Sequence, residues 1–173
     1  MVAKLADLFS LAQILGYVGL LITVAGYQVA SPRHTLLIHV CAEWAFSLHC
    51  WLMGAPTAAA QTAGSGFRNL ALGLVPHRWS TPICGAYLGF AYVNAALAPG
   101  QAIDILPAIG TTFGTAAAFF RDRPTTFRAL SLACACTWLI FCALIASVGG
   151  TIEATMTLAS ILLAMFRFRH VRT

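Results

Sequence analysis

Gln13–Tyr27 reads QILGYVGLLITVAGY and Asp104–Phe119 reads DILPAIGTTFGTAAAF. Ile14-Leu15 of the first matches Ile105-Leu106 of the second, and Gly19 matches Gly110 at the same offset. A short basic turn with a proline follows each run, SPRH at Ser31–His34 and RDRP at Arg121–Pro124. A Trp-containing segment comes next, with Trp44 and Trp138, and then a small-residue turn, GAPT or VGGT, leads into a third apolar run. These matches predict two parallel three-helix repeats joined by one linker helix, a 3+1+3 layout.

Composition says what surrounds those helices. Hydrophobic residues make up 60% of the 173 and charged residues only 9%. A soluble domain carries about a quarter charged residues, so this chain lacks the polar groups to cover a water-facing surface. A spanning helix uses roughly 20 apolar residues, and seven such helices occupy nearly the whole length. The expectation is an all-α membrane protein with a single transmembrane domain. Its parts are a first repeat over 8–75, a linker helix over 80–97 and a second repeat over 102–167. The expected spans are Leu8–Val29, Pro32–Met53, Thr57–Val75, Ser80–Leu97, Ala102–Phe120, Thr125–Val148 and Thr151–Arg167. Breaker chemistry separates them, and Pro32 and Pro124 sit at helix starts, where a missing N–H costs nothing. The apolar run after Lys4 and Asp7 is too long for a cleavable signal, so the first span is expected to stay in place.

The net charge of +5 is distributed by side. Arg33, Arg78, Arg121 and Arg123 lie in alternate breaks, Arg128 lies just inside the sixth span, and Arg167, Arg169 and Arg172 follow the seventh. The remaining breaks hold no Lys or Arg; Lys4, balanced by Asp7, is the one basic residue on their side. The positive-inside rule then places the C-terminus in the cytoplasm and the N-terminus outside, which needs an odd number of spans. This is a topology signal and not a nucleic-acid signal. The six cysteines form no C-x-x-C and read as small apolar fillers inside the spans, with neither metal nor disulfide spacing.

Three segments carry a family resemblance: LHCWLMGAPTAAAQTAGSGFR (Leu48–Arg68), ILPAIGTTFGTAAAFF (Ile105–Phe120) and SVGGTIEATMTLASILLAMFRF (Ser147–Phe168). The chain resembles the YgjV-type bacterial inner-membrane proteins over nearly its whole length, which implies a location in the inner membrane. The 3+1+3 layout is similar to that of the SWEET, PQ-loop and KDEL-receptor group, which implies transport or receptor-like binding of a small ligand. Only Pro107 supplies a core-helix proline and no Pro-Gln signature occurs, so the layout implies no sugar specificity.

Polar residues inside such spans are costly and concentrate at functional or pairing sites. Glu43 lies eleven residues after Pro32, roughly 16 Å into the span and near its middle. Arg68 sits on the antiparallel third span at a comparable depth. The spacing predicts a Glu43–Arg68 pair, direct or through water. His39 shares the Glu43 face at i, i+4, whereas His49 is expected on a different face; a metal site across them is rejected, and a proton relay is left open. Gln61, Ser65 and Arg68 form one helical stripe with Asn69 beside it, the candidate ligand-facing surface. Asn94, Tyr17, Trp44 and Trp138 are candidates to complete the cavity. Asp104 and Glu153 read as carboxylates at helix N-termini, favoured by the macrodipole. The G-x-x-x-G matches at Gly85–Gly89 and Gly110–Gly114 read as packing faces, the first also as a homodimer contact.

No catalytic motif and no cofactor motif is present, so enzyme is the least favoured class. The leading expectation is a small-solute transporter with a central polar site between repeats. The alternative is a receptor-like or structural bundle whose polar residues hold helices together.

Overall fold

The computed structural model describes residues 10–98, 105–144 and 148–168. These residues form α1 (Leu11–Tyr27), α2 (Pro32–Leu52), α3 (Pro56–Leu74), α4 (Ser80–Ala96), α5 (Ile105–Phe119), α6 (Pro124–Leu144) and α7 (Val148–Arg167), with one 3-10 turn at His77–Trp79. No strand occurs among the described residues. Lys4, Asp7, Asp104, Arg169 and Arg172 lie outside them, as do Leu8 and 102–104 at the starts of two expected spans.

Local chemistry explains the breaks. The Ser10 side chain accepts from the Gln13 N–H and caps α1. Proline opens α2, α3 and α6, where its fixed φ suits the first turn. Gly54, at φ +76°, makes the turn from α2 to α3 in the left-handed region. One expected break moves: Gly149-Gly150 lies in the first turn of α7, which begins three residues before the expected Thr151. The glycine serves close approach there, since a Cβ on Gly149 would meet the Gln13 Oε1 at 2.6 Å.

Each helix runs antiparallel to the next. α1 packs on α2 and α7, α3 on α2, α4 and α5, and α6 on α5 and α7. Small residues set these contacts. A Cβ at Gly19 would lie 3.0 Å from the Phe46 ring, and one at Gly110 would lie 3.0 Å from the Trp138 ring. Gly26 receives the His39 ring, Gly66 the Trp44 ring and Gly73 the Leu37 side chain.

The burial pattern is that of a protein in lipid. Arg68, Arg121, Arg128, Gln61 and Asn69 are buried, whereas Leu21, Trp51, Phe67, Leu163 and Phe166 are exposed. Among the described residues, three helical stretches are long and apolar enough to cross a membrane: Pro32–Leu52, Pro124–Leu144 and Gly149–Arg167. Leu11–Tyr27 and Ile105–Phe119 are apolar but shorter. α3 is as long as the last of the three but carries its polar stripe inside the bundle, so composition alone does not mark it. Of the cysteines, Cys84 and Cys142 are buried, but Cys41 and Cys136 are exposed on the outer surface, contrary to the filler expectation.

Candidate functional site

One end of the bundle is solid. Tyr27, Leu36, Leu72, Phe127, Ile161 and Ala164 form the apolar cluster there. Arginines complete it. Arg33 Nε donates to the Gly73 carbonyl at 2.7 Å, so it caps the end of α3. Arg121 Nη1 donates to Ser80 Oγ at 2.6 Å and its Nη2 to the Val75 carbonyl at 3.3 Å. Arg128 Nη2 donates to the Val29 and Ala30 carbonyls at 3.4 and 3.1 Å, and its guanidinium lies 4.9 Å from the Phe168 ring centroid. Gln28 Nε2 donates to Ser160 Oγ at 2.9 Å, and that hydroxyl donates to the Val24 carbonyl at 3.1 Å. Cations at helix C-termini complement the dipole, so the arginines satisfy orphan carbonyls, and the contacts of Arg128 and Gln28 join α1 to α6 and α7.

From that end a cavity of about 460 Å³ runs toward the α2–α3 turn, where Met53, Ala55, Gln13 and Gly149 line it. Residues of α1, α2, α3, α5, α6 and α7 form its wall, and α4 contributes no lining residue. Among the described residues its charged groups are Glu43, Arg68 and Glu153, with His39 and His49 beside them.

Arg68 is only 5% exposed. Its Nε and Nη2 donate to Asn69 Oδ1 at 3.2 and 2.8 Å, and its Nη1 donates to Thr115 Oγ1 at 2.8 Å. The Tyr87 ring covers one side, 4.8 Å from the guanidinium carbon. Among the described residues Arg68 makes no ion pair, so the direct form of the expected Glu43–Arg68 contact is not made. Both side chains face the same cavity instead, and the neutral oxygens of Asn69 and Thr115 hold the guanidinium.

The histidines are committed to backbone. His39 Nε2 lies 3.2 Å from the Thr23 carbonyl, and His49 Nδ1 lies 2.7 Å from the Ala12 carbonyl. A carbonyl oxygen only accepts, so the facing ring nitrogen carries the proton in each case. His49 ties α1 to α2 and lines the cavity together with His39 and Glu43. Ser65 lines the cavity and is hydrogen-bonded to the Tyr87 hydroxyl at 2.6 Å. Asn69, Tyr17 and Trp138 also line it.

Three expected members fall elsewhere. Trp44 is 38% exposed and packs on Gly66 and Phe67 at the outer surface. Asn94 donates to the Thr57 carbonyl at 3.0 Å and ties α4 to α3. Gln61 is fully buried behind the wall, where its Oε1 accepts from Thr111 Oγ1 at 3.1 Å and its Nε2 has no partner. Conversely, Glu153 lies in the second turn of α7 and lines the cavity, with Thr157 Oγ1 donating to it at 3.2 Å. The sequence signal for it was an acidic residue inside a long apolar run, masked by placing the helix start at Thr151.

The family model Imp-YgjV, described as bacterial inner membrane protein, matches residues 10–172. The chain belongs to this family. No curated protein and no solved structure matches it significantly. This YgjV-family chain is thus a multi-pass protein of the bacterial inner membrane, with its exposed apolar side chains against lipid. In that setting the cavity is a polar, charged interior within an apolar shell, and each ionisable group on its wall would be costly to retain in plain lipid contact.

Proposed function

We propose that this YgjV-family protein is a small-solute transporter whose site is the central cavity. The observation that carries the proposal is a space of about 460 Å³ lined by Glu43, Glu153 and Arg68. That size is within the range of small-molecule sites. The sealed arginine end and the hollow opposite end suit one state of an alternating-access cycle. In that cycle the contacts from Arg121, Arg128 and Gln28 would break as the first and last three helices rock apart.

The 3+1+3 repeat belongs to the same proposal. The Gly19–Phe46 and Gly110–Trp138 contacts support it, because the two glycines are the matched residues and each seats an aromatic of the next helix. On this basis Phe46, and not Trp44, is the counterpart of Trp138. The orientation follows the positive-inside rule, with the arginine end cytoplasmic and the N-terminus outside. Gly85 and Gly89 have open space over them, which leaves the outer face of α4 for a homodimer contact. The second reading, a receptor-like or structural bundle, is favoured by the ties that already engage Arg68, His39 and His49.

The test is a thermal-stability screen of purified protein in detergent against a broad metabolite panel, followed by uptake of any hit into proteoliposomes. A ligand of the native state raises apparent stability. Transport predicts a hit that accumulates in vesicles and fails to do so with Glu43→Gln. A ligand that binds but never crosses would support the receptor-like reading. A silent panel together with a large stability loss in Glu43→Gln would support the structural one.

A further inference from the structure

The charged groups of the cavity have opposite signs and do not meet. Arg68 makes three hydrogen bonds, all to neutral oxygens. A guanidinium carries five N–H donors, so two remain. Glu43 is half-buried on the cavity wall and makes no ion pair among the described residues. Glu153 takes one hydrogen bond, from Thr157. The groups are also ordered along the bundle. Glu153 lies near the start of α7 at the hollow end, Glu43 lies at the middle of α2, and Arg68 lies near the last turns of α3 toward the arginine end.

We propose that the solute is dipolar, a small zwitterion whose anionic group docks on the free edge of Arg68 and whose cationic group docks on Glu43. The inference rests on the cavity being a solute site and adds the chemical class of the solute. A simple cation would satisfy Glu43 but would face a buried guanidinium. A simple anion would satisfy Arg68 but would approach two carboxylates. Either leaves a desolvated charge unmatched, and like-charge juxtaposition is a strong means of rejection. A zwitterion places each charge opposite its complement and takes the position that a direct Glu43–Arg68 pair would otherwise occupy. Glu153 then stands at the hollow end as the first carboxylate that the cationic group meets. Trp138 and Phe46 also line the cavity, and aromatic rings attract an ammonium or its methyl groups.

The test uses the intact wild-type protein and matched analogues. The first set is glycine betaine, choline and 3,3-dimethylbutyrate, which share one shape and carry both charges, the cation alone and the anion alone. The second set is the twenty standard amino acids, each hit being compared with its decarboxylated amine and its deaminated acid. The expected result is that at least one zwitterion raises the melting temperature and binds about tenfold or more tighter than either singly charged analogue. Glu43→Gln and Arg68→Gln should each abolish that preference, while Asn94→Ala, off the cavity, should keep it. Stabilisation by a singly charged analogue equal to that by the zwitterion would overturn the proposal, and so would a silent response to every zwitterion in both sets. Uptake of a singly charged solute would sink the dipolar assignment and leave transport standing. Binding of a zwitterion without uptake would do the reverse.

Discussion

Arginine does two different jobs in this bundle, one at its sealed end and one on the cavity wall. At the sealed end Arg33, Arg121 and Arg128 each bond to carbonyls at or just beyond the C-termini of α3 and α1, and Arg121 also to the Ser80 hydroxyl. Beside the cavity, Arg68 bonds to the side-chain oxygens of Asn69 and Thr115 and lines the same hollow as Glu43. The first arrangement is complete without a ligand, because orphan helix-end carbonyls and a cation complement each other. The second is not. Burial alone does not separate them, since Arg68, Arg121 and Arg128 are all equally shielded; partner chemistry does.

The largest expected effect follows from that difference. Arg121→Ala removes two hydrogen bonds and leaves the buried Ser80 hydroxyl without its donor, which should cost about 3 kcal/mol in unfolding measurements in detergent. Arg68→Gln should cost less, about 1 kcal/mol, because the glutamine amide still supplies N–H donors for Asn69 Oδ1 and Thr115 Oγ1. Equal losses at the two positions would erase the distinction.

Next in size is a pair of glycines. Gly26→Ala drives a methyl into the His39 ring, at 2.6 Å, and should destabilise by about 1–3 kcal/mol. Gly85→Ala on the open face of α4 should be neutral or stabilise by about 0.5 kcal/mol. Melting temperatures of the two variants check this, and a clear loss in Gly85→Ala would instead reveal a contact on α4, such as a homodimer.

Ser160→Ala tests the seal more gently. It deletes the hydroxyl between Gln28 and Val24, with an expected cost of about 1 kcal/mol, and should increase reagent access to the cavity from the arginine side. The smallest loss among the hydrogen-bonding variants belongs to Asn94→Ala, which removes one bond to the Thr57 carbonyl. It should cost about 0.5–1 kcal/mol and leave any solute affinity unchanged.

Much of the helix layout was legible because punctuation is local. Pro32, Pro124 and the Gly54 turn mark their breaks by backbone chemistry that needs no tertiary contact. Gly149-Gly150 misled for the converse reason: a glycine needed for close approach looks identical in sequence to one that ends a helix. The cavity was legible where helical spacing fixes a shared face, as for His39 with Glu43 and for Ser65 with Arg68. Neighbours in sequence point to different sides of a helix, so Trp44 beside Glu43 turns outward. Gln61 shares the stripe of Ser65 and Arg68, yet α5 covers it through Thr111. How an adjacent helix masks part of a face is set by tertiary packing, which one sequence does not carry. Likewise, comparable depth suggested a Glu43–Arg68 contact, but depth gives no lateral distance across the hollow.

The most direct measurement of the central claim is accessibility of Ser131→Cys, in a background without the six native cysteines, to a membrane-impermeant methanethiosulfonate applied to each face of oriented membrane vesicles. Ser131 lines the cavity on α6, close to the sealed end. Alternating access predicts modification from both faces, with Ser160→Ala raising the rate from the arginine side. Modification from one face only, unchanged by Ser160→Ala, would contradict a gate at the arginine end and leave a binding pocket without a pathway.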